Sequence, residues 1–289
     1  MKFLIVGLGS IGKRHQENLK KLNHQVIPVH RDDNLEKKIK SNQPDAIFIC
    51  NPTSMHLKTA NVALEYNLPI FLEKPLSHNL NGVNTFIQEV EKKQIPVLVG
   101  YCLRWQKGLM KIKNQLCKLK SLNNLHADIF YQSFLPDWRP GRDYCQIYSS
   151  QKNLGGGVLL DLSHEIYYAI WFFGRPKTVK AKLGYSPELK IDVETKADLE
   201  LTFINNIKSR IYLDMANKKI KRGLQIIGKK QFNWSYPGPE NMYLDEIKHF
   251  INMLNHQEES KVKLSETKIV LETIEAAKKA DKTGKIIKI

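Results

Sequence analysis

Three groups of residues in this 289-residue chain have the types and the spacing to do chemistry. The first is Gly7-Leu8-Gly9-Ser10-Ile11-Gly12, entered directly from the apolar run Phe3-Leu4-Ile5-Val6. Gly7 permits a tight turn, Gly9 lets the backbone approach an anion, and Gly12 lets the following helix pack on the strand. The N-H groups at that helix start, from Ser10 and Ile11 onward, then face a pyrophosphate. A dinucleotide site is the reading, and a ligand-free helix-start turn competes with it. The second group is Glu73-Lys74-Pro75, at the end of an apolar strand. A partly desolvated ammonium beside a bound dinucleotide lowers its own pKa or polarises a substrate hydroxyl. Glu73 would hold that lysine or the cofactor, and the bond before Pro75 is a candidate for cis. An exposed loop lysine is the competing reading. The third group is Asp161 and His164, three apart on a predicted apolar helix and so on one face, where an isolated charge needs a reason. Lysine, carboxylate and imidazole together suffice to remove a hydroxyl proton while a hydride leaves the same carbon. The expected roles are His164 as general acid/base, Lys74 as its electrostatic and hydrogen-bonding partner, and Asp161 as substrate orienter; a satisfied core histidine competes. No residue pattern calls for a metal.

Further contacts are expected around these groups. The loop Pro136-Asp137-Trp138-Arg139-Pro140-Gly141-Arg142-Asp143-Tyr144, followed by Tyr148, offers rings to lie against a sugar and two guanidiniums to fork onto carboxylate or phosphate. Tyr101 and Arg104, at the junction of the two domains, would join them. The competing reading is a rigid surface loop stapled by Trp138. At the end of the second strand the chain reads Val29-His30-Arg31-Asp32, with His30 where an acid usually accepts from the ribose 2'-hydroxyl. Arg31 suits a 2'-phosphate, so NADP(H) is favoured, while Asp32 keeps NAD open. The turn Asn51-Pro52-Thr53 lies at a third strand end beside the cofactor, and His56 after it braces the helix start rather than performing chemistry.

The elements that must carry these groups follow from periodicity. Strands at 2–6, 25–29, 46–50, 69–72 and 96–100 alternate with helices near 11–22, 33–41, 54–66, 79–93 and 106–118. That alternation gives a doubly wound parallel sheet with helices on both faces, and each motif above in this half lies at a strand's carboxyl end. Segments 122–135 and 177–230 then show period-two alternation, which argues a mostly antiparallel sheet with one buried face. Between them lie the loop 136–156 and one helix at 158–173, and helices near 240–255 and 265–282 finish the chain. The fold class is therefore α/β, with a dinucleotide-binding domain at 1–119 and a substrate and oligomerisation α+β domain at 120–289, the last helices able to pack back on the first.

Composition bounds the function. Hydrophobic residues make up 42%, enough for two packed cores. No stretch reaches the roughly 18 uninterrupted apolar residues of a membrane span, and no signal sequence is visible, so a cytoplasmic protein is expected. Cys50, Cys102, Cys117 and Cys145 have no paired spacing and are read as reduced and mostly inside. The net charge of +16 is spread rather than clustered and lacks interleaved aromatics, which argues against a nucleic-acid partner and for an anionic small ligand.

The glycine turn, Asn51-Pro52-Thr53-Ser54-Met55-His56, Glu73-Lys74-Pro75, Gly100-Tyr101, and Gly155-Gly156-Gly157-Val158-Leu159-Leu160-Asp161 with His164 occur in this order. Together they resemble the Gfo/Idh/MocA oxidoreductases. The resemblance implies a Rossmann domain, a substrate domain whose open sheet face makes an oligomer contact (a dimer or tetramer), and an NAD(P)-dependent reaction on a sugar, polyol, sugar acid or nucleotide-sugar. It also implies Lys74 in the role given above. The spacing of three between Asp161 and His164 departs from the commoner four, which leaves open which of them touches the reacting hydroxyl; Asp-Leu-Ser-His-Glu resembles members found in bacterial surface-sugar biosynthesis. Some relatives have lost catalysis, so a nicotinamide-binding regulatory or partner protein is the alternative, and the intact Lys74, Asp161 and His164 speak against it.

Overall fold

The inner parallel strands in the first third of the chain are buried on both faces and read as near-continuous apolar runs. A computed structural model describes residues 1–238 and 240–289. Its first sheet consists of β1 (Lys2–Val6), β2 (Gln25–Val29), β3 (Ala46–Ile49), β4 (Ile70–Glu73) and β5 (Val97–Gly100), all parallel in the order β2-β1-β3-β4-β5. Every residue of β3, β4 and β5 is buried, as strands covered on both faces require. The connecting helices are α1 (Ser10–Lys21), α2 (Leu35–Asn42), α3 (His56–Glu65) and α4 (Val83–Lys93). This is the doubly wound parallel sheet expected from the sequence.

The second sheet is larger and mostly antiparallel. After α5 (Lys107–Cys117) come β6 (His126–Phe134), α6 (Val158–Asp161), α7 (Ser163–Phe173), β7 (Thr178–Gly184), β8 (Lys196–Thr202), β9 (Lys208–Asp214), β10 (Ala216–Ile227) and β11 (Phe232–Ser235). The chain closes with α8 (Met242–Leu254), α9 (Leu264–Thr283) and β12 (Ile287–Lys288). The order is β11-β10-β6-β9-β8-β7-β12, and only β6 and β9 run parallel. Strand β8 alternates buried Ala197, Leu199 and Leu201 with more exposed partners, so one face is packed and one is open. Helix α7, buried along its whole length, packs on β6 and β9.

Two compact units result, Met1–Trp105 with Glu240–Lys268, and Gln106–Pro239 with Ile269–Ile289. The division falls at 105/106, where the sequence reading places it at 119/120, because α5 packs on β11 of the second sheet. A Cβ at Gly108 of α5 would lie 2.5 Å from the Trp234 ring of β11, which shows how closely they meet. Helix α8 belongs to the first unit: its Phe250 ring stands edge-on, at 5.6 Å, to both Phe48 and Phe71, which stack on each other at 4.5 Å. No cysteine is in a disulfide; Cys50 and Cys102 are buried, but Cys117 is exposed and Cys145 half-buried, fewer inside than expected.

Candidate functional site

In the first unit the site is built on strand ends. Gly7 has φ of +91°, and a Cβ there would lie 2.6 Å from the Asn51 amide nitrogen. A Cβ on Gly12 would lie 2.0 Å from the Gly7 carbonyl oxygen, whereas one on Gly9 would meet nothing within 4 Å. The outer two glycines thus let the turn close on β3 and on α1, and the middle one leaves open space. Helix α1 begins at Ser10 with no side-chain cap and no acid in its first turn. The amides of Ser10, Ile11 and Gly12 therefore lack the i−4 partner of a helix interior and carry the positive end of the dipole. Backbone donors over open space fit a pyrophosphate.

The flanking strand ends differ in kind. After β2, His30, Arg31 and Asp32 are all exposed. The acid engaged locally is Asp33, which the sequence reading did not weigh. Its Oδ2 accepts the His30 amide N–H at 2.8 Å and lies 3.3 Å from Lys38 Nζ. The His30 amide first, then Lys38, hold its carboxyl below the usual range. After β3, Asn51 donates from Nδ2 to Thr59 Oγ1 at 2.7 Å. His56 is buried, with Nδ1 2.8 Å from the Pro75 carbonyl oxygen and Nε2 3.0 Å from that of Asn51. Burial pushes its pKa down, against the two carbonyls that favour the imidazolium. It ties the turn after β3 to the turn after β4, where the sequence expectation has it brace the start of α3.

At the end of β4 the Lys74–Pro75 bond is cis. Glu73, buried, receives His15 Nε2 on Oε1 at 2.6 Å and the Lys74 amide N–H on Oε2 at 3.3 Å. His15 was not among the residues singled out from sequence, though a histidine on the buried face of α1, three residues after Gly12, was a usable signal. Arg104 Nε donates to the Lys261 carbonyl oxygen at 3.1 Å, and Tyr101 is fully enclosed.

In the second unit Asp161 and His164 are both buried, but they do not share one helix. Asp161 ends α6 and His164 lies in the first turn of α7, with Leu162 between them leaving the helical geometry at ψ of +27°. The expected continuous helix at 158–173 is broken there. Tyr148 donates its O–H to Asp161 Oδ1 at 2.5 Å. Burial first, then the Asp161 charge, push that phenol well up, so it stays a donor. The sequence alone places Tyr148 as a ring for a sugar and does not show this bond.

Glu194 was not predicted at all. Its carbonyl accepts the Val158 N–H at 2.9 Å at the start of α6, and a Cβ on Gly157, where φ is +113°, would lie 2.6 Å from its Oε1. Burial chiefly raises its pKa, with the Asp161 charge adding, against the amides of Glu194 and Leu159 and the charge of Lys278. The third glycine of Gly155-Gly156-Gly157 is thus shaped to this carboxyl, thirty-seven residues away. In α7, Glu165 is clamped by Arg222, Nε to Oε1 at 2.7 Å and Nη2 to Oε2 at 3.2 Å. Tyr131 and Tyr236 flank that guanidinium at 4.4 and 5.4 Å. In the aromatic loop, Trp138 Nε1 donates to Ser133 Oγ at 3.0 Å, Arg139 Nη1 donates to the Trp138 carbonyl at 2.8 Å, and Arg142 is exposed. Trp138 is therefore pinned to β6, with Arg139 folded back over it.

Comparison with known proteins agrees with this architecture. Residues 23–101 match the model of an oxidoreductase family with an NAD-binding Rossmann fold, and residues 126–232 match that of the GFO/IDH/MocA C-terminal domain. A myo-inositol 2-dehydrogenase of Thermotoga maritima is 28% identical over 195 residues, 60% of this chain and 55% of that protein. The chain thus spans about half the length of the curated relative it matches. Among solved structures, myo-inositol 2-dehydrogenase from Lactobacillus plantarum superposes with a TM-score of 0.86 at 17% identity, over 100% of this chain and 99% of that one. The WlbA dehydrogenase from Bordetella pertussis, solved with NADH and UDP-GlcNAcA, gives 0.85 at 14% identity, over 100% and 98%. At these identities the two structures speak for the fold.

Proposed function

We propose, for a chain that belongs to the Gfo/Idh/MocA oxidoreductase family, that it is an NAD(P)-dependent dehydrogenase or reductase acting on a hydroxyl or ketone carbon of a sugar, sugar acid or nucleotide-sugar. The observation that carries the reading is the uncapped start of α1 at Gly9, where a Cβ would meet open space. Gly7, Gly9, Ser10, Ile11 and Gly12 would hold the pyrophosphate, and the turn from Asn51 through Thr53, braced by His56, with Glu73 and Lys74, would line the rest. When bound, the dinucleotide supplies the hydride acceptor or donor.

The chain's own residues manage the proton. Lys74 places a cation that polarises the reacting oxygen. His164 takes the hydroxyl proton in oxidation and returns it in reduction, and Asp161, fixed by the Tyr148 O–H, orients the substrate. Arg139 and Arg142 with Trp138 and Tyr148 supply guanidiniums and rings for an anionic carbohydrate, and Arg104 and Tyr101 are the candidates for it in the first unit. A dehydrogenase of this fold is solved with UDP-GlcNAcA, which is in keeping with a nucleotide-sugar here, and the run Asp161-Leu162-Ser163-His164-Glu165 is what supports a place in surface-polysaccharide synthesis. Exposed Arg31, with no acid at position 30, supports NADP(H). The open face of the second sheet supports a homo-oligomer, and among the described residues no helix is long and apolar enough to cross a membrane.

Calorimetric titration of the purified protein with NADPH and NADH tests the reading. Binding of either at micromolar or tighter Kd is expected, tighter for NADPH if Arg31 reads the 2'-phosphate. Binding of neither by folded protein would overturn the enzyme reading and leave a partner or regulatory role.

A further inference from the structure

Three ionisable side chains from separate elements meet inside the first unit: His15 on α1, Glu73 on β4 and Glu246 on α8, each with a polar atom within 4.8 Å of the others. All three are buried, His15 and Glu246 completely. The His15 ring lies 4.9 Å from the Phe71 ring and 5.7 Å from the Phe48 ring, so the surroundings are apolar. His15 and Glu73 are bonded to each other, and Glu73 also receives the Lys74 amide. Glu246 is the odd member, because neither of its carboxyl oxygens has a hydrogen-bond partner among the described residues. The other titratable groups facing this pocket are Arg14 on α1, which lies over the Tyr243 ring at 4.5 Å, Cys50 after β3, Cys102 after β5, and Tyr243 on α8 itself.

Two ionised carboxylates in such a pocket would leave more negative charge than one imidazole can balance, and an unpartnered buried carboxylate is far costlier than a neutral acid. A neutral acid is also a donor, and the nearest carboxylate is that of Glu73. We propose that Glu246 is carried as a neutral carboxylic acid and that, with His15, it is a positioning residue which fixes the Glu73 carboxylate and through it Lys74. One negative charge, bonded by His15 of α1 and with the neutral acid of α8 beside it, then stands next in the chain to the lysine. Burial first, then the Glu73 charge, push the Glu246 carboxyl well above its ordinary value, which agrees with the geometry. Burial likewise raises the Cys50 thiol, so it adds no charge. The inference rests on the reading of Lys74 as the reaction's cation.

The sign of the pH effect follows. In the unfolded chain Glu246 ionises near its ordinary value of 4.5, while in the fold it keeps its proton. Its contribution to stability is full below that value and is lost as pH rises toward the folded-state pKa. Glu246→Gln copies the neutral acid at every pH and escapes this loss. Melting temperatures of cofactor-free wild type and E246Q, compared from about pH 5 to about pH 8, should therefore diverge in favour of the variant as pH rises. A deficit in E246Q of constant size across that range overturns the proposal.

The positioning claim is read from the titration of Lys74, followed by the pH dependence of its acylation in the cofactor-free protein. His15→Leu removes a donor from Glu73, turns more of that charge toward the lysine, and should slow Lys74 acylation about threefold or more at a fixed pH below the plateau of the profile. E246Q should leave that rate in place. An unchanged rate in H15L overturns the positioning role, and if H15L does not fold, the melting comparison of E246Q still decides. A stoichiometric divalent cation in the purified protein, needed for its stability, would also overturn it, because the metal would stand where the proton is placed. None of these readouts needs a nicotinamide, so failure of the dinucleotide to bind would undo the function without touching them.

Discussion

Lys74 follows a carboxylate that is bonded on both oxygens, one of them by the Lys74 amide itself, so its backbone is set by neighbours rather than by its own side chain. That separates its chemistry from the folding of the turn. Lys74→Ala should lower turnover by about 10²–10⁴-fold, the range expected for loss of a positioned acid–base or electrostatic group. Calorimetry on the same variant should find the NAD(P)H Kd within a few fold of wild type, because the proposed pyrophosphate contacts are backbone amides of α1. Unchanged turnover would remove Lys74 from the mechanism, and lost cofactor binding would make it a binding residue instead. The burial of Asp161 and His164 was legible in the sequence because an apolar segment carries inward whatever charged or imidazole side chain it contains. Tyr148 was legible only as a ring, and its bond to Asp161 was not, since thirteen residues of loop separate the two.

Helix α6 is four residues long, too short to hold itself, and its position is imposed from outside by Glu194 and by Tyr148. Gly157 is where that imposition is tightest. Gly157→Ala would add a Cβ at a φ of +113° and 2.6 Å from the Glu194 carboxyl, and should cost about 1–3 kcal/mol of stability in a denaturant melt. Glu194→Ala opens the space but leaves the backbone conformation unchanged. The double variant should therefore lose less than the sum of the singles, by on the order of 1 kcal/mol. Strict additivity would show that the backbone alone demands glycine there. The triple glycine was plain in the sequence, and its partner was not, because a lone Glu in a loop before a strand carries no periodic signal. The break at Leu162 escaped for the opposite reason: residues 158–173 are apolar almost throughout, and an apolar run reports burial without reporting where the helix bends.

Across the whole molecule, the alternation of strand and helix gave the parallel sheet and its order of elements, since each parallel strand needs its own crossover. What it did not give was the allegiance of the later helices. An amphipathic helix states that it has an apolar face and not which sheet will cover it; α5 and α8 both read as helices, and they belong to the units opposite to those their sequence positions suggest. A fragment cut at 119 would keep α5, whose Leu109, Ile112 and Leu116 face lacks β11, and would lose α8 with Phe250. Losing a buried Phe side chain alone costs about 3–5 kcal/mol, a large part of the stability of a small unit. Residues 1–119 should therefore show no cooperative thermal transition and should bind a hydrophobic dye. Residues 1–105 joined by a short Gly-Ser linker to 240–268 should melt cooperatively, since α8 packs on the turn Cys102–Trp105. Melts of the two proteins side by side check this: cooperative unfolding of the first and not the second would return the boundary to 119 and make α8 dispensable to the dinucleotide-binding unit.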